Sequence, residues 1–145
     1  MDISLREITE ENYEGICEIE VTDNQERHLS SNTRSLVDFM FRKTLIARGI
    51  FIANKSVGFL MWDRPDPETA GIWRFMVDKD YQQQGIGFKA LEMAIEEIRQ
   101  SNEVRRIEIF YSPDNLVAKK LYASVGFVEV GMDKEGIEMV ARIEA

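Results

Sequence analysis

The segment IWRFMVDKDYQQQGIGFKALEMAIEEI, from Ile72 to Ile98, limits the possible folds more than any other part of the chain. β-Branched, aromatic and long apolar residues (Ile72, Trp73, Phe75, Met76, Val77) predict a strand, and Asp78, Lys79 and Asp80 a charged turn. After Gln82-Gln83-Gln84-Gly85-Ile86-Gly87, the apolar residues Leu91, Ala94, Ile95 and Ile98 recur at three- and four-residue spacing, which predicts a helix. A strand that runs through a glycine turn into a helix gathers main-chain N–H groups without intrahelical partners at one point. The positive end of the helix dipole lies there, and Gly85 and Gly87 have no Cβ to hold an anion away from the backbone. The turn lacks the third glycine of a dinucleotide fingerprint and the Gly-Lys-Ser/Thr of a P-loop.

A second strand, turn and helix follow. Arg106 to Tyr111 reads as a strand, Ser112-Pro113-Asp114 as a turn, and Asn115 to Phe127 as a short helix stopped by Gly126. Gln-x-x-Gly-x-Gly followed by Asn-x-x-Ala-x-x-Leu-Tyr-x-x-x-Gly-Phe resembles the two ordered signatures of the GNAT family of N-acetyltransferases. The resemblance extends along nearly all of the chain. It implies an α/β (α+β) fold, with a mixed, mostly antiparallel twisted sheet flanked by helices.

The rest of the chain supplies the elements of that order, β-α-α-β-β-β-α-β-α-β-β. Ile3 to Ile8 reads as a strand, and Thr9 as the cap of a helix spanning Tyr13 to Glu20. Ser31 or Asn32 caps a second helix carrying Leu36, Val37, Phe39, Met40 and Phe41. Ile50 to Ala53 and Val57 to Trp62 form a hairpin. Arg64 to Glu68, with Pro65 and Pro67, reads as a loop, because proline removes ladder donors. Phe127 to Gly131 and Gly136 to Ile143 close the sheet.

Composition narrows the function. At 145 residues and 44% hydrophobic content, the expectation is one domain over 1–145. No long apolar run or cationic leader pattern occurs, so a cytoplasmic protein with no membrane partner is expected. A formal net charge of -8 argues against nucleic acid and permits a polycationic substrate. One cysteine, Cys17, and one histidine, His28, cannot build the usual zinc sites, so no metal is expected. Cys17 reads as core and His28 as surface.

The resemblance also implies roles, position by position. The main chain of Phe75, Met76 and Val77 would bond the pantetheine of acetyl-CoA. Gln82, Gln83, Gln84, Gly85, Ile86 and Gly87, with Phe88 and Lys89, would wrap its pyrophosphate. Gln82 stands where the family often has arginine, which shifts recognition toward backbone N–H groups. Asn115 would reach the pantetheine, and Lys119 or Lys120 the phosphates. Tyr122 would donate a proton to the departing coenzyme A sulfur, whose thiol-like pKa is about 8.5.

The acceptor, a small-molecule amine, must lose a proton before it attacks. The family's polyamine member uses a glutamate on the anchoring strand, where this chain has Trp73. A water chain to Glu108, Glu20 or Asp63 would replace it. Asp23, Glu26 and Asp63, with the rings of Trp73 and Tyr111, are candidates for binding spermidine or spermine. The segment Val21-Thr22-Asp23-Asn24-Gln25-Glu26 resembles bacterial spermine/spermidine acetyltransferases. Another small amine, a protein N-terminus, or acetyl-CoA sensing without turnover are the alternatives, and a homodimer through the terminal strands is a family habit.

Overall fold

The computed structural model describes residues 2–22 and 31–145. Seven strands form one sheet: β1 (Ile3–Arg6), β2 (Ile46–Ile52), β3 (Lys55–Asp66), β4 (Thr69–Val77), β5 (Arg106–Tyr111), β6 (Val128–Met132) and β7 (Met139–Glu144). Their order is β1-β2-β3-β4-β5-β7-β6. Among the described residues only β4 and β5 pair in parallel, with a helix crossing over between them. Four α-helices among the described residues accompany the sheet: α1 (Tyr13–Cys17), α2 (Asn32–Phe41), α3 (Ile86–Arg99) and α4 (Leu116–Val125). The mixed, mostly antiparallel architecture expected from the sequence is the one observed.

Two apolar layers sandwich the sheet. Helix α3 buries Ile86, Ala90, Leu91, Ala94, Ile95 and Ile98, the stripe that its spacing predicts, against Ile72, Ile107 and Ile109. Each large side chain in that layer contributes about 1.5–3 kcal/mol of transfer free energy. On the opposite face Ile16, Ile19 and Val21 pack with Phe51, Phe59, Met61 and Met76, and Leu36, Phe39 and Trp73 lie against them. Strand β5 divides its residues between the layers: Ile107, Ile109 and Tyr111 are buried on the α3 and α4 side, and Glu108 and Phe110 turn the other way.

Several local expectations need correction. Helix α1 starts after Asn12 rather than Thr9; Asn12 Oδ1 accepts from the Thr9 N–H at 2.8 Å, so the polar residues before the helix satisfy each other. The helix ends at Cys17, which is half-buried because Ile16 takes the inward position of this short element. At α2, Ser31 is the cap, its hydroxyl accepting from Arg34 N–H. The stretch from Arg64 is not a loop throughout: β3 continues through Pro65 to Asp66. Pro65 is tolerated because the β3/β4 register is irregular between Asp63 and Asp66, so no regular ladder donor is needed there.

Candidate active site

A β-bulge builds the site. Met61 pairs with Arg74 and Trp62 with Ile72, so Trp73 is the extra residue on β4. The parallel ladder between β4 and β5 ends at the same place, with Ile72 opposite Ile109, although β4 runs on to Val77 and β5 to Tyr111. The strands therefore part, and a cleft of about 440 Å³ opens between them.

Ladder alternation decides which main-chain groups face the cleft. Asp78 N–H donates to Val57 O at 2.7 Å, and Val77 lies opposite Gly58. Successive residues of an antiparallel strand direct their polar groups to opposite edges. Met76 thus points its N–H and C=O toward β3, and Phe75 and Val77 point theirs toward the parted edge. The Val77 carbonyl is already engaged, accepting from Gln82 Nε2 at 2.8 Å.

Arg74, beside the bulge, is 4% exposed and lines the cleft. Its Nη2 donates to Asn32 Oδ1 and approaches Met76 Sδ at 3.7 Å. Asn32 Nδ2 in turn donates to Ile16 O at 2.9 Å, so α1, α2 and the bulge are tied together. Burial pushes the Arg74 guanidinium down to about 10.

At the mouth of the cleft Gln83 and Gly85 adopt positive φ, 59° and 81°. Gly85 is the N-cap of α3 and supplies no side chain to it. The first intrahelical bond is Lys89 N–H to Gly85 O at 3.1 Å, so the N–H groups of Ile86, Gly87 and Phe88 precede the ladder. A Cβ on Gly87 would stand 3.2 Å from Leu121 Cδ2, which explains why the helix can lie so close to α4. Bare N–H groups, a positive dipole end and a parted strand edge suit a long ligand with an anionic diphosphate and an amide-bearing arm. Acetyl-CoA has that chemistry, and the residues fit it.

Helix α4 forms the other wall. Asn115 Oδ1 accepts from Ala118 N–H at 3.1 Å and caps the helix. The Tyr122 ring is buried among Tyr111 (5.2 Å between centroids), Phe75 (6.2 Å) and Phe127 (6.3 Å), all edge to face. Its hydroxyl makes no hydrogen bond to a described residue, and the side chain lines the cleft. Burial first, and Tyr111 second, hold its phenol above the ordinary range, so it stays protonated. Tyr111 donates to Glu129 Oε2 at 3.0 Å; burial and that carboxylate push it up to about 12.

Below the bulge, on the α1 and α2 face, lies a groove of about 620 Å³. Its polar walls include Asp63, Glu108, Asp133, Glu135 and Glu138. Two of these are paired: Glu108 Oε2 with Arg142 Nη2 at 2.7 Å, and Asp63 with Arg42 at 3.9 Å. Desolvation raises the Asp63 carboxyl, against the opposing effect of Arg42.

The sequence-derived candidates divide as follows. Phe75, Met76, Val77, Gln82, Gln83, Gly85, Gly87, Phe88, Asn115 and Tyr122 line the cleft, together with Trp73 and Tyr111. Gln84, Lys89 and Lys120 are exposed outside its lining, and Ile86 is core. Lys119 sits 3.5 Å from Glu129. Glu20 is held at the surface by Lys79 at 2.8 Å, whereas Asp63 and Glu108 line the groove. Asp23, Glu26 and His28 lie outside the described residues. Two charged lining residues escaped the sequence reading, Arg74 and Glu138. Each sits in a strand-like pattern with nothing local to mark it; only the bulge and the β6–β7 hairpin bring them to the cleft. Among the described residues no group of His, Cys, Asp and Glu is placed to hold a metal, and no helix is long and apolar enough to cross a membrane.

Comparison with known proteins gives the family and the fold. The model of the acetyltransferase (GNAT) family matches residues 6–127. A probable spermine N(1)-acetyltransferase of Bacillus subtilis subsp. natto is 28% identical over 134 residues, 88% of each chain. Among solved structures, the PaiA N-acetyltransferase of Thermoplasma acidophilum in complex with coenzyme A superposes with a TM-score of 0.75 at 18% identity, over 100% of both chains. The aminoglycoside acetyltransferase AAC(6')-Ib in complex with coenzyme A gives 0.79 at 16% identity, over 99% of this chain and 95% of that one. At such identities the structural likeness shows the fold.

Proposed function

The chain belongs to the acetyltransferase (GNAT) family, and from that premise we propose that it moves the acetyl group of acetyl-CoA to a primary amine of a polyamine, spermidine or spermine. The observation that carries this reading is the uncapped start of α3 at the mouth of the cleft between β4 and β5, with Tyr122 on the wall. The N–H groups of Ile86, Gly87 and Phe88 receive the diphosphate, with Gln82, Gln83 and Gly85 shaping the turn. The free main-chain groups of Phe75 and the Val77 N–H bond the pantetheine arm. The amine attacks the thioester directly, and Tyr122, kept protonated by burial, donates its hydrogen bond to the departing sulfur.

The names of relatives support the polyamine acceptor, and so does the groove with Asp63, Asp133 and Glu135 adjoining the cleft. The rings of Trp73 and Phe110 offer faces to a cationic chain, each worth about 0.5–2 kcal/mol. Strand β6, exposed along its whole length at the sheet edge, supports a homodimer through the terminal strands.

Thiol release from acetyl-CoA, measured against spermine, spermidine, putrescine, lysine, aminoglycosides and peptides, tests the proposal. Spermine and spermidine are expected to give the highest kcat/KM. Turnover confined to peptides or aminoglycosides overturns the polyamine acceptor; no turnover with any amine overturns the enzyme.

A further inference from the structure

Among the described residues the cofactor cleft and the acidic groove share Trp73, Phe110 and Glu138 as lining. An acceptor reaching from groove to thioester must pass them. Its reacting nitrogen arrives as an ammonium with a pKa near 10.4, and cannot attack until a base takes a proton. Trp73 and Phe110 have no group for that task, and the nearest charge on β4, Arg74, is a cation. Among the described residues that line the cleft, Glu138 is the only carboxylate.

The fold explains how it gets there. Pairing of Tyr111 with Met139 and Phe110 with Val140 puts Val140 and Arg142 on the groove side of β7, and Glu138 continues that alternation. Its own N–H is held by Asp133 Oδ1 at 3.2 Å, and its C=O accepts from Asp133 N–H at 2.8 Å, which fixes the hairpin at this point. Three other acidic side chains nearby have work already: Glu108 on Arg142, Asp63 on Arg42, and Glu129 on Tyr111 and Lys119. The Glu138 carboxylate makes no hydrogen bond or ion pair with a described residue.

We propose that Glu138 holds the reacting ammonium of the acceptor at the junction of the two cavities and is the base that takes its proton. This rests on the acetyltransferase reading and adds the residue that reading lacked. One proton passes from the ammonium to the carboxylate. The freed nitrogen bonds to the acetyl carbon, the C–S bond breaks, and its electron pair leaves on sulfur. The nitrogen's second surplus proton ends on sulfur by way of Tyr122, which is restored, and Glu138 returns its proton to solvent.

The charged and titratable groups facing Glu138 are consistent with this role. On its own hairpin are Asp133, Lys134 and Glu135, and from β7 comes Arg142. Strand β5 adds Glu108 and Tyr111, and Arg74 and Tyr122 face the cleft from β4 and α4. Asp63 of β3 and Arg42, just beyond α2, close the groove as a pair. Burial, followed by Asp133 and Glu135, raises the Glu138 carboxyl, which improves it as a base. Asp133 and Glu135 also remain to receive a second ammonium, so the preferred acceptor is a di- or polyamine.

The test compares the native enzyme with Glu138→Gln and Glu138→Asp, using spermidine as acceptor. Glu138→Gln is expected to lower kcat/KM about 100-fold or more at pH 7. The deficit should shrink as pH approaches about 10.4, where solvent deprotonates the amine. Acetyl-CoA affinity should hold within about twofold, and Glu138→Asp should recover part of the rate. Folding is a separate readout. A carboxyl raised in the folded state stabilises the fold below its unfolded pKa and loses that contribution as pH rises through its folded value, so the amide variant should melt no lower than the native protein at pH 7. A loss that is constant with pH, or confined to KM, overturns Glu138 as the base, and an unchanged rate overturns both of its roles. A native enzyme that acetylates no amine overturns the underlying reading instead.

Discussion

Two helices present their N-termini to one cleft and finish them differently. Helix α4 begins at Asn115, whose Oδ1 accepts from Ala118 N–H and so uses up a backbone donor internally. Helix α3 begins at Gly85, in a left-handed conformation, with no side-chain cap. A capped terminus is stable on its own and offers little to an anion; one with glycine at the cap forgoes only about a few tenths of a kcal/mol and keeps its donors for a ligand. The division of labour follows. In the proposed reaction α3 binds through its end and α4 acts through its side, where Tyr122 stands about two turns in.

The sharpest way to break that division is Tyr122→Phe. If α4 supplies chemistry and not binding, kcat should fall about 100-fold or more, and acetyl-CoA affinity measured by calorimetry should stay within about threefold. Unchanged turnover would reduce Tyr122 to a packing residue of the Phe75, Tyr111 and Phe127 cluster. Gly85→Val tests the other helix. A β-branched residue at φ 81° is strained, and no Cβ contact compensates, since nothing lies within 4 Å of that position. The turn should reopen and misdirect the donors of α3. Losing one charge-assisted hydrogen bond of about 1.5–3 kcal/mol would weaken acetyl-CoA binding roughly 10- to 100-fold. Retained affinity would place the diphosphate elsewhere.

How much of this was legible beforehand depended on whether the cause was local. The α3 stripe, the glycine turn and the stop at Gly126 are written in adjacent residues, and the structure has them where the spacing puts them. The strand through Pro65 was missed because its tolerance comes from an irregular register with β4, a partner effect. Trp73 reads as an ordinary strand residue, yet it is the bulge that parts β4 from β5. Glu138 was missed for the same reason. Its position follows from inserting β7 between β5 and β6, which no stretch of the closing hairpin announces. Asn115 was anticipated as a ligand contact; it lines the cleft, and the structure gives its oxygen to the helix as a cap, a role the sequence reading did not assign.

That last residue allows the smallest but most discriminating test. Asn115→Ala removes the cap, and should cost about 0.5–2 kcal/mol of stability in denaturant melts. If the Nδ2 group also reaches the pantetheine arm, affinity should fall by a further neutral hydrogen bond, about 0.5–1.5 kcal/mol and less than Gly85→Val costs. Asn115→Asp separates the two contributions, because a carboxylate still accepts from Ala118 N–H but cannot donate. Stability should then return to the native value with affinity still reduced. Recovery of both would make the residue a cap only, and recovery of neither would mean that α4 does not depend on its cap, removing the contrast between the two helix ends.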